Sequence, residues 1–118
     1  MKKDNVVLNK SIDFALKIIS LYKVLNESKE FILSKQLLRS GTSIGANIQE
    51  STAAESTNDF VHKLSIASKE ARETKYWLML LQKSQLITFD YSDYLKDVDE
   101  IINILTSIIK TIQQRNAK

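Results

Sequence analysis

The sequence predicts an all-α fold: an antiparallel up-down-up-down four-helix bundle, one domain spanning residues 1–118. Three observations carry that expectation. There is no proline and there are only two glycines in 118 residues, so helix interiors escape the residues that break or weaken them. Apolar residues recur at three- and four-residue spacing through four long segments, the mark of helices with one buried face. The breaks between these segments are short and rich in Asn, Ser, Thr and Asp, which cap helices and make turns. Short connections place successive helices antiparallel and side by side.

The first helix is expected over 7–25. Leu8, Ile12, Ala15, Ile19 and Tyr22 form one apolar stripe, and Val7, Phe14, Ile18, Leu21 and Leu25 form a second beside it. Together they span an arc of roughly 200°, about twice what a surface helix needs. Asn9, Asp13, Lys17 and Ser20 keep the remaining face wet, and Asn26-Glu27-Ser28 supplies turn residues. An apolar arc too wide for one core marks an association surface, and Phe14, Ile18, Leu21 and Leu25, with Trp77, are the candidate oligomer interface.

The second helix is expected over 29–54, with Leu33, Leu37, Ile44 and Ile48 as its core stripe. Gly41 and Gly45 sit four apart on one flank. Either they let another helix approach closely, or Gly41 kinks or breaks the helix. Ser56-Thr57-Asn58-Asp59 reads as the start of a third helix over 58–83, carrying Phe60, Leu64, Ala67, Ala71, Leu78 and Leu81, with Ile66, Trp77 and Leu80 beside them. Leu86, Ile87 and Phe89 in the next connection are expected to tuck over the bundle end. The fourth helix, 91–113, buries Tyr94, Val98, Ile101, Ile102, Leu105, Ile108, Ile109 and Ile112.

Composition narrows the chemistry. With no cysteine there is no disulfide, thiolate metal site or cysteine nucleophile. The basic stretch Met1-Lys2-Lys3-Asp4-Asn5 is followed by only three apolar residues, Val6 to Leu8. That is too few for a signal-peptide core or a membrane span, so a cytoplasmic, membrane-free protein is expected. The net charge is +3, which permits contact with polyanions without requiring it.

No constellation points to an enzyme, and no cofactor is expected. His62 is the only histidine and has no second ligand at metal-binding spacing, so it reads as a surface residue. Di-iron bundles need Glu-x-x-His motifs; Glu70 and Glu73 lack the histidine, as do Glu50 and Glu55. The stretch from Gly41 to Gly45 lacks the Gly-Lys-Ser/Thr ending of a phosphate loop, and no Gly-x-Ser-x-Gly elbow occurs.

Two polar features remain. Arg39, Ser40, Ser43, Asn47 and Glu50 on the second helix, with Glu70 and Glu73 on the third, can border the core. They are either a structural network, with Arg39 or Asn47 satisfying a semi-buried glutamate, or a contact for a ligand or partner. Lys69, Arg72 and Lys75 share a broad face of the third helix, and Lys110, Arg115 and Lys118 enrich the C-terminus. They are either solvated faces or phosphate contacts for RNA or DNA. Tyr76 and Trp77 lie near the first set, as stacking on single strands would require.

The run Gln36-Leu37-Leu38-Arg39-Ser40-Gly41-Thr42-Ser43-Ile44-Gly45-Ala46-Asn47-Ile48-Gln49-Glu50 resembles the hallmark of the bacterial 23S rRNA intervening-sequence proteins. That pattern is Gln-Leu-x-Arg-Ser/Ala-x-x-Ser-Ile-x-Ala-Asn-Ile-x-Glu. The segment from Asp59 to Thr74 is similar to the family too, with Phe60, Leu64, Ala67, Glu70 and Glu73 in place. The chain departs from the pattern at Gln49, where many members have alanine. It also lacks the proline often found between the first two helices, where Asn26 to Glu30 stand instead.

The resemblance implies a four-helix protomer assembling into a ring-shaped homopentamer. The family includes the accessory protein of diversity-generating retroelements, a basic pentamer that binds nucleic acid and associates with a reverse transcriptase. By this resemblance the chain is expected to be a non-enzymatic homopentameric scaffold like that accessory protein, the accessory variability determinant (Avd). Its partners would be other copies of itself, RNA or DNA, and a reverse transcriptase or another protein. A protein-interaction module without nucleic acid is the alternative.

Overall fold

The computed structural model describes residues 2–116, and the side chains of residues 6–116. Lys118 and the side chains of the basic N-terminal stretch lie outside the described residues. Four helices follow one another: α1 (Lys2–Glu27), α2 (Leu33–Ser51), α3 (Thr57–Ser84) and α4 (Ser92–Asn116). Among the described residues there is no strand. Each helix packs on its neighbours in sequence and α4 closes back on α1, giving an elongated bundle of 51 × 22 × 21 Å. α1 and α3 are diagonal partners, as are α2 and α4.

The core is one continuous cluster. It stacks Phe14, Ile18, Leu21 and Leu25 of α1 against Leu37, Ile44 and Ile48 of α2, Leu64, Ala67, Ala71, Leu78 and Leu81 of α3, and Val98, Ile101, Ile102 and Leu105 of α4. α2 runs unbroken through Gly41, because both glycines serve a close crossing with α1. A Cβ on Gly41 would stand 2.9 Å from Ile18 Cγ2, and one on Gly45 would stand 3.0 Å from Ser11 Oγ.

The α1–α2 connection differs from expectation: α2 begins at Leu33, not at 29. Lys29 adopts the left-handed conformation (φ 66°), and Lys29 N–H and Glu30 N–H return to the carbonyls of Asn26 and Leu25 at 2.9 Å each. This is a Schellman stop, with lysine where glycine is usual. Glu30 then folds its carboxylate over the start of α2 and accepts from the N–H groups of Ile32, Leu33 and Ser34 at 3.2, 3.1 and 2.7 Å. The positive end of the helix dipole meets a buried anion there.

α3 starts as expected. Ser56 Oγ accepts from Asp59 N–H at 3.0 Å, and Asp59 accepts in turn from Glu55 N–H at 3.2 Å. At the far end Leu86 does not tuck in but is 59% exposed, while Phe89 lies against Tyr91 and Tyr94. Tyr91, just before α4, is buried there instead, donating to the Ile87 carbonyl at 3.2 Å. Among the described residues no helix is long and apolar enough to cross a membrane.

Candidate functional site

The polar strip is held together at the α2–α3 seam. Arg39, one turn into the seam from Gln36, reaches across to Glu70 Oε1 at 3.4 Å and also pairs with Glu73. Its Nη2 donates to Gln36 Oε1 at 3.1 Å. Glu73 Oε2 also accepts from Trp77 Nε1 at 3.0 Å, and the Trp77 ring meets Tyr76 edge to face with centroids 5.2 Å apart. Below this rim the hydroxyls of Thr74 and Ser40 hydrogen-bond at 2.8 Å between the helices, both fully buried.

Three members of the expected network do not join it. Ser43 donates to the Arg39 carbonyl at 2.7 Å and Asn47 to the Ser43 carbonyl at 2.9 Å, so both are satisfied within α2. Asn47 therefore holds no glutamate: its amide donates to a carbonyl of its own helix. Glu50 belongs to a separate pair with Lys63, at 2.9 Å, near the other end of the seam. That hydrogen bond and charge raise the Lys63 pKa above its ordinary value.

The basic residues do not form one patch. Lys75 turns to the α4 flank and pairs with Asp99 at 2.8 Å. Lys69 and Arg72 point outward from α3, exposed, and among the described residues they enter no ion pair. Lys110 and Arg115 are exposed on the last turns of α4. Arg115 borders a cleft of about 500 Å³ with Ser51, Thr57, Phe60 and Ile112 at the bundle end.

The candidate oligomer interface needs a correction. Phe14, Ile18, Leu21 and Leu25 are buried in the chain's own core, at 0–1% exposure, so no second copy can reach them. Trp77 is half-buried against that core. The bulkier of the two adjacent α1 arcs turned inward, since it removes more apolar area from water. What remains outside is Ile12, Leu16 and Ile19, 41–59% exposed, on the outward face of α1.

The four-helix chain has relatives. The family model described as 23S rRNA-intervening sequence protein matches residues 3–107. The chain belongs to the 23S rRNA-intervening sequence protein family. A crystal structure from Bacteroides thetaiotaomicron, of a protein with unknown function from the S23 ribosomal protein family, is similar at 56% identity. The match covers 92% of this chain and 98% of that one, with a TM-score of 0.86. Comparison with curated proteins finds no match.

Read on the structure, the intervening-sequence family motif is chiefly a packing device. Leu37, Ile44 and Ile48 fill the core, Gly41 and Gly45 admit α1, and Ser40 bonds to Thr74. Two motif residues cross to α3 at an exposed surface: Arg39, which reaches Glu70 and Glu73, and Glu50, which pairs with Lys63. The opposite seam, α1 against α4, is looser. Lys10–Glu100 (3.1 Å) and Lys17–Asp97 bridge it over a crevice of about 220 Å³. Among the described residues no group of three histidine, cysteine, aspartate or glutamate side chains is placed to hold a metal ion.

Proposed function

We propose that this protein is a non-enzymatic homo-oligomeric scaffold, a homopentameric ring in the cytoplasm, that binds RNA or DNA as an accessory to RNA processing or reverse transcription. One observation carries the reading: two surfaces of opposite character occupy diagonal helices. The apolar stripe Ile12, Leu16 and Ile19 on α1 suits self-association. The cations Lys69 and Arg72 on α3 stand on the far side of the bundle, where assembly through α1 leaves them open to phosphates. Ring closure would use head-to-tail contacts, as the family resemblance implies.

The test is binding of RNA and DNA oligonucleotides as a function of salt. The log of the binding constant should fall linearly with the log of salt concentration, and Lys69→Gln with Arg72→Gln should weaken binding and flatten the slope. Unchanged binding in that double variant would remove α3 as the contact surface.

A second reading, a protein-interaction module without nucleic acid, is favoured by a different feature. Phe31, Ile32, Leu86 and Phe89, from the α1–α2 and α3–α4 connections, are exposed at one end of the bundle. A partner that stays bound after nuclease treatment and is lost on Ile32→Ser with Leu86→Ser would support that reading.

A further inference from the structure

The outward edge of α3 has a regularity that charge alone does not explain. His62, Lys69, Tyr76 and Lys83 recur at every seventh position, and Arg72 falls between the second and third. A seven-residue step returns to nearly the same side of a helix and advances about 10 Å. These five residues therefore form one stripe along the bundle, and all five are exposed.

The acids that could neutralise the stripe are engaged elsewhere. Arg39 holds Glu70 and Glu73 on the α2 flank, and Lys75 holds Asp99 on the α4 flank. Lys69, Arg72 and Lys83 enter no ion pair among the described residues. The aromatic in the middle is 54% exposed, yet it is not loose. Tyr76 rests against Trp77, whose indole N–H donates to Glu73, and Glu73 is paired with Arg39. A chain of contacts from α2 ends in a braced ring facing solvent between cations.

We propose that this stripe binds single-stranded nucleic acid in preference to duplex, with Tyr76 as the platform for a base. Lys69, Arg72 and Lys83 would contact the phosphates on either side, and Arg39, Glu73 and Trp77 would act as positioning residues for the ring. The inference rests on the nucleic-acid reading above and adds the strand state and the stacking residue. The chemistry favours a single strand because only unpaired bases can be splayed onto an aromatic side chain, whereas a duplex offers the helix mainly its phosphates. One stacked base is worth enough to be read in a single substitution.

The experiment compares an oligonucleotide of about 20 residues with its own duplex at low salt, about 50 mM, and at about 200 mM. The proteins are the parent chain, Tyr76→Ala, Tyr76→Phe, and Lys69→Gln with Arg72→Gln. The parent should bind the strand more tightly than the duplex. Tyr76→Ala should weaken strand binding about tenfold or more while leaving the salt slope and duplex binding unchanged, and Tyr76→Phe should restore it. The double cation variant should lower the slope by about 1.4, two contacts at about 0.7 each.

Equal or tighter duplex binding, or strand binding that Tyr76→Ala leaves intact, overturns the stacking stripe while nucleic-acid binding stands. Failure of the parent to bind either polymer at low salt overturns the nucleic-acid reading itself. Tyr76 lies outside the core cluster, so loss of the fold is not an expected outcome of its replacement.

Discussion

Gly41 lies so close to Ile18 that a methyl group on it would stand 2.9 Å from Ile18 Cγ2 and 3.0 Å from Cγ1. Both γ carbons sit on a branched, fully buried side chain and cannot swing aside. Alanine should gain about 1 kcal/mol of helix propensity over glycine, but overpacking of this kind costs about 1–3 kcal/mol. Gly41→Ala should therefore lower stability by roughly 1 kcal/mol net, seen as a lower urea midpoint at unchanged slope. Gly45→Ala meets only the Ser11 hydroxyl at 3.0 Å and should be close to neutral. A Gly41→Ala variant as stable as the parent, or more stable, would show that the α1–α2 crossing is not what selects glycine at 41.

At the α1–α2 connection, one carboxylate serves three backbone donors. Glu30→Ala would leave the N–H groups of Ile32, Leu33 and Ser34 without that acceptor, and should cost about 1–2 kcal/mol. Lys29→Gly should act in the opposite sense. It relieves a left-handed lysine and should raise stability by about 0.5–1 kcal/mol. Thermal or urea unfolding of the two variants reads both signs, and destabilisation by Lys29→Gly would contradict the Schellman assignment.

These two sites also show where the sequence was legible. The four helices and the heart of the core follow from spacing alone, because burial of a continuous face forces three- and four-residue repeats at Leu37, Ile44 and Ile48 or at Val98, Ile101, Ile102 and Leu105. The facing of α1 was not legible. Its two arcs are adjacent and have the same spacing, so spacing does not separate them; the greater apolar area of the inward arc and the room left by Gly41 and Gly45 put Ile18 inside and Ile19 outside. Glu30 was hidden as well, since an acidic residue after Glu27-Ser28-Lys29 looks like the first turn of a helix rather than its cap. In the polar strip, Arg39, Glu70 and Glu73 could be paired because a long cation on one helix faced two acids on the next. The amide of Asn47 could not be placed, as a nearby carbonyl of its own helix competes for it.

Alkaline pH should unfold the bundle earlier than its neutral stability suggests. Burial pushes the Tyr91 phenol above its ordinary pKa of 10.0, with the Glu30 carboxylate adding to the effect. Burial raises Tyr94 too, although the Lys17 cation pulls the other way. Lys17 is itself raised, chiefly by its hydrogen bond to Asp97. In all three the folded state holds the proton more tightly than the unfolded chain. Their stabilisation is fully present below about pH 10 and is lost as pH rises through the folded values. Melting temperature should thus fall steeply above about pH 10, and Tyr91→Phe, which cannot ionise, should recover part of the loss. A flat profile through pH 11 or so would contradict the shifts.

Assembly through α1 makes a sharper prediction now that the inward and outward arcs are distinguished. Leu16 is 59% exposed and lies outside the core cluster, so Leu16→Glu leaves the protomer's packing intact while placing a charge in the stripe that self-association would bury. Phe14→Ala, two positions away, instead empties a core site at a cost of about 3–5 kcal/mol. Light scattering on the parent should report five times the 13.5 kDa protomer mass. Leu16→Glu should fall to the protomer mass with its helical signal and cooperative unfolding retained, whereas Phe14→Ala should lose stability first. A parent that is monomeric at micromolar concentration would leave Ile12, Leu16 and Ile19 without an occupant and end the ring proposal. An oligomer that survives Leu16→Glu would place its contacts elsewhere, with the exposed Phe31, Ile32, Leu86 and Phe89 end of the bundle as the next surface to change.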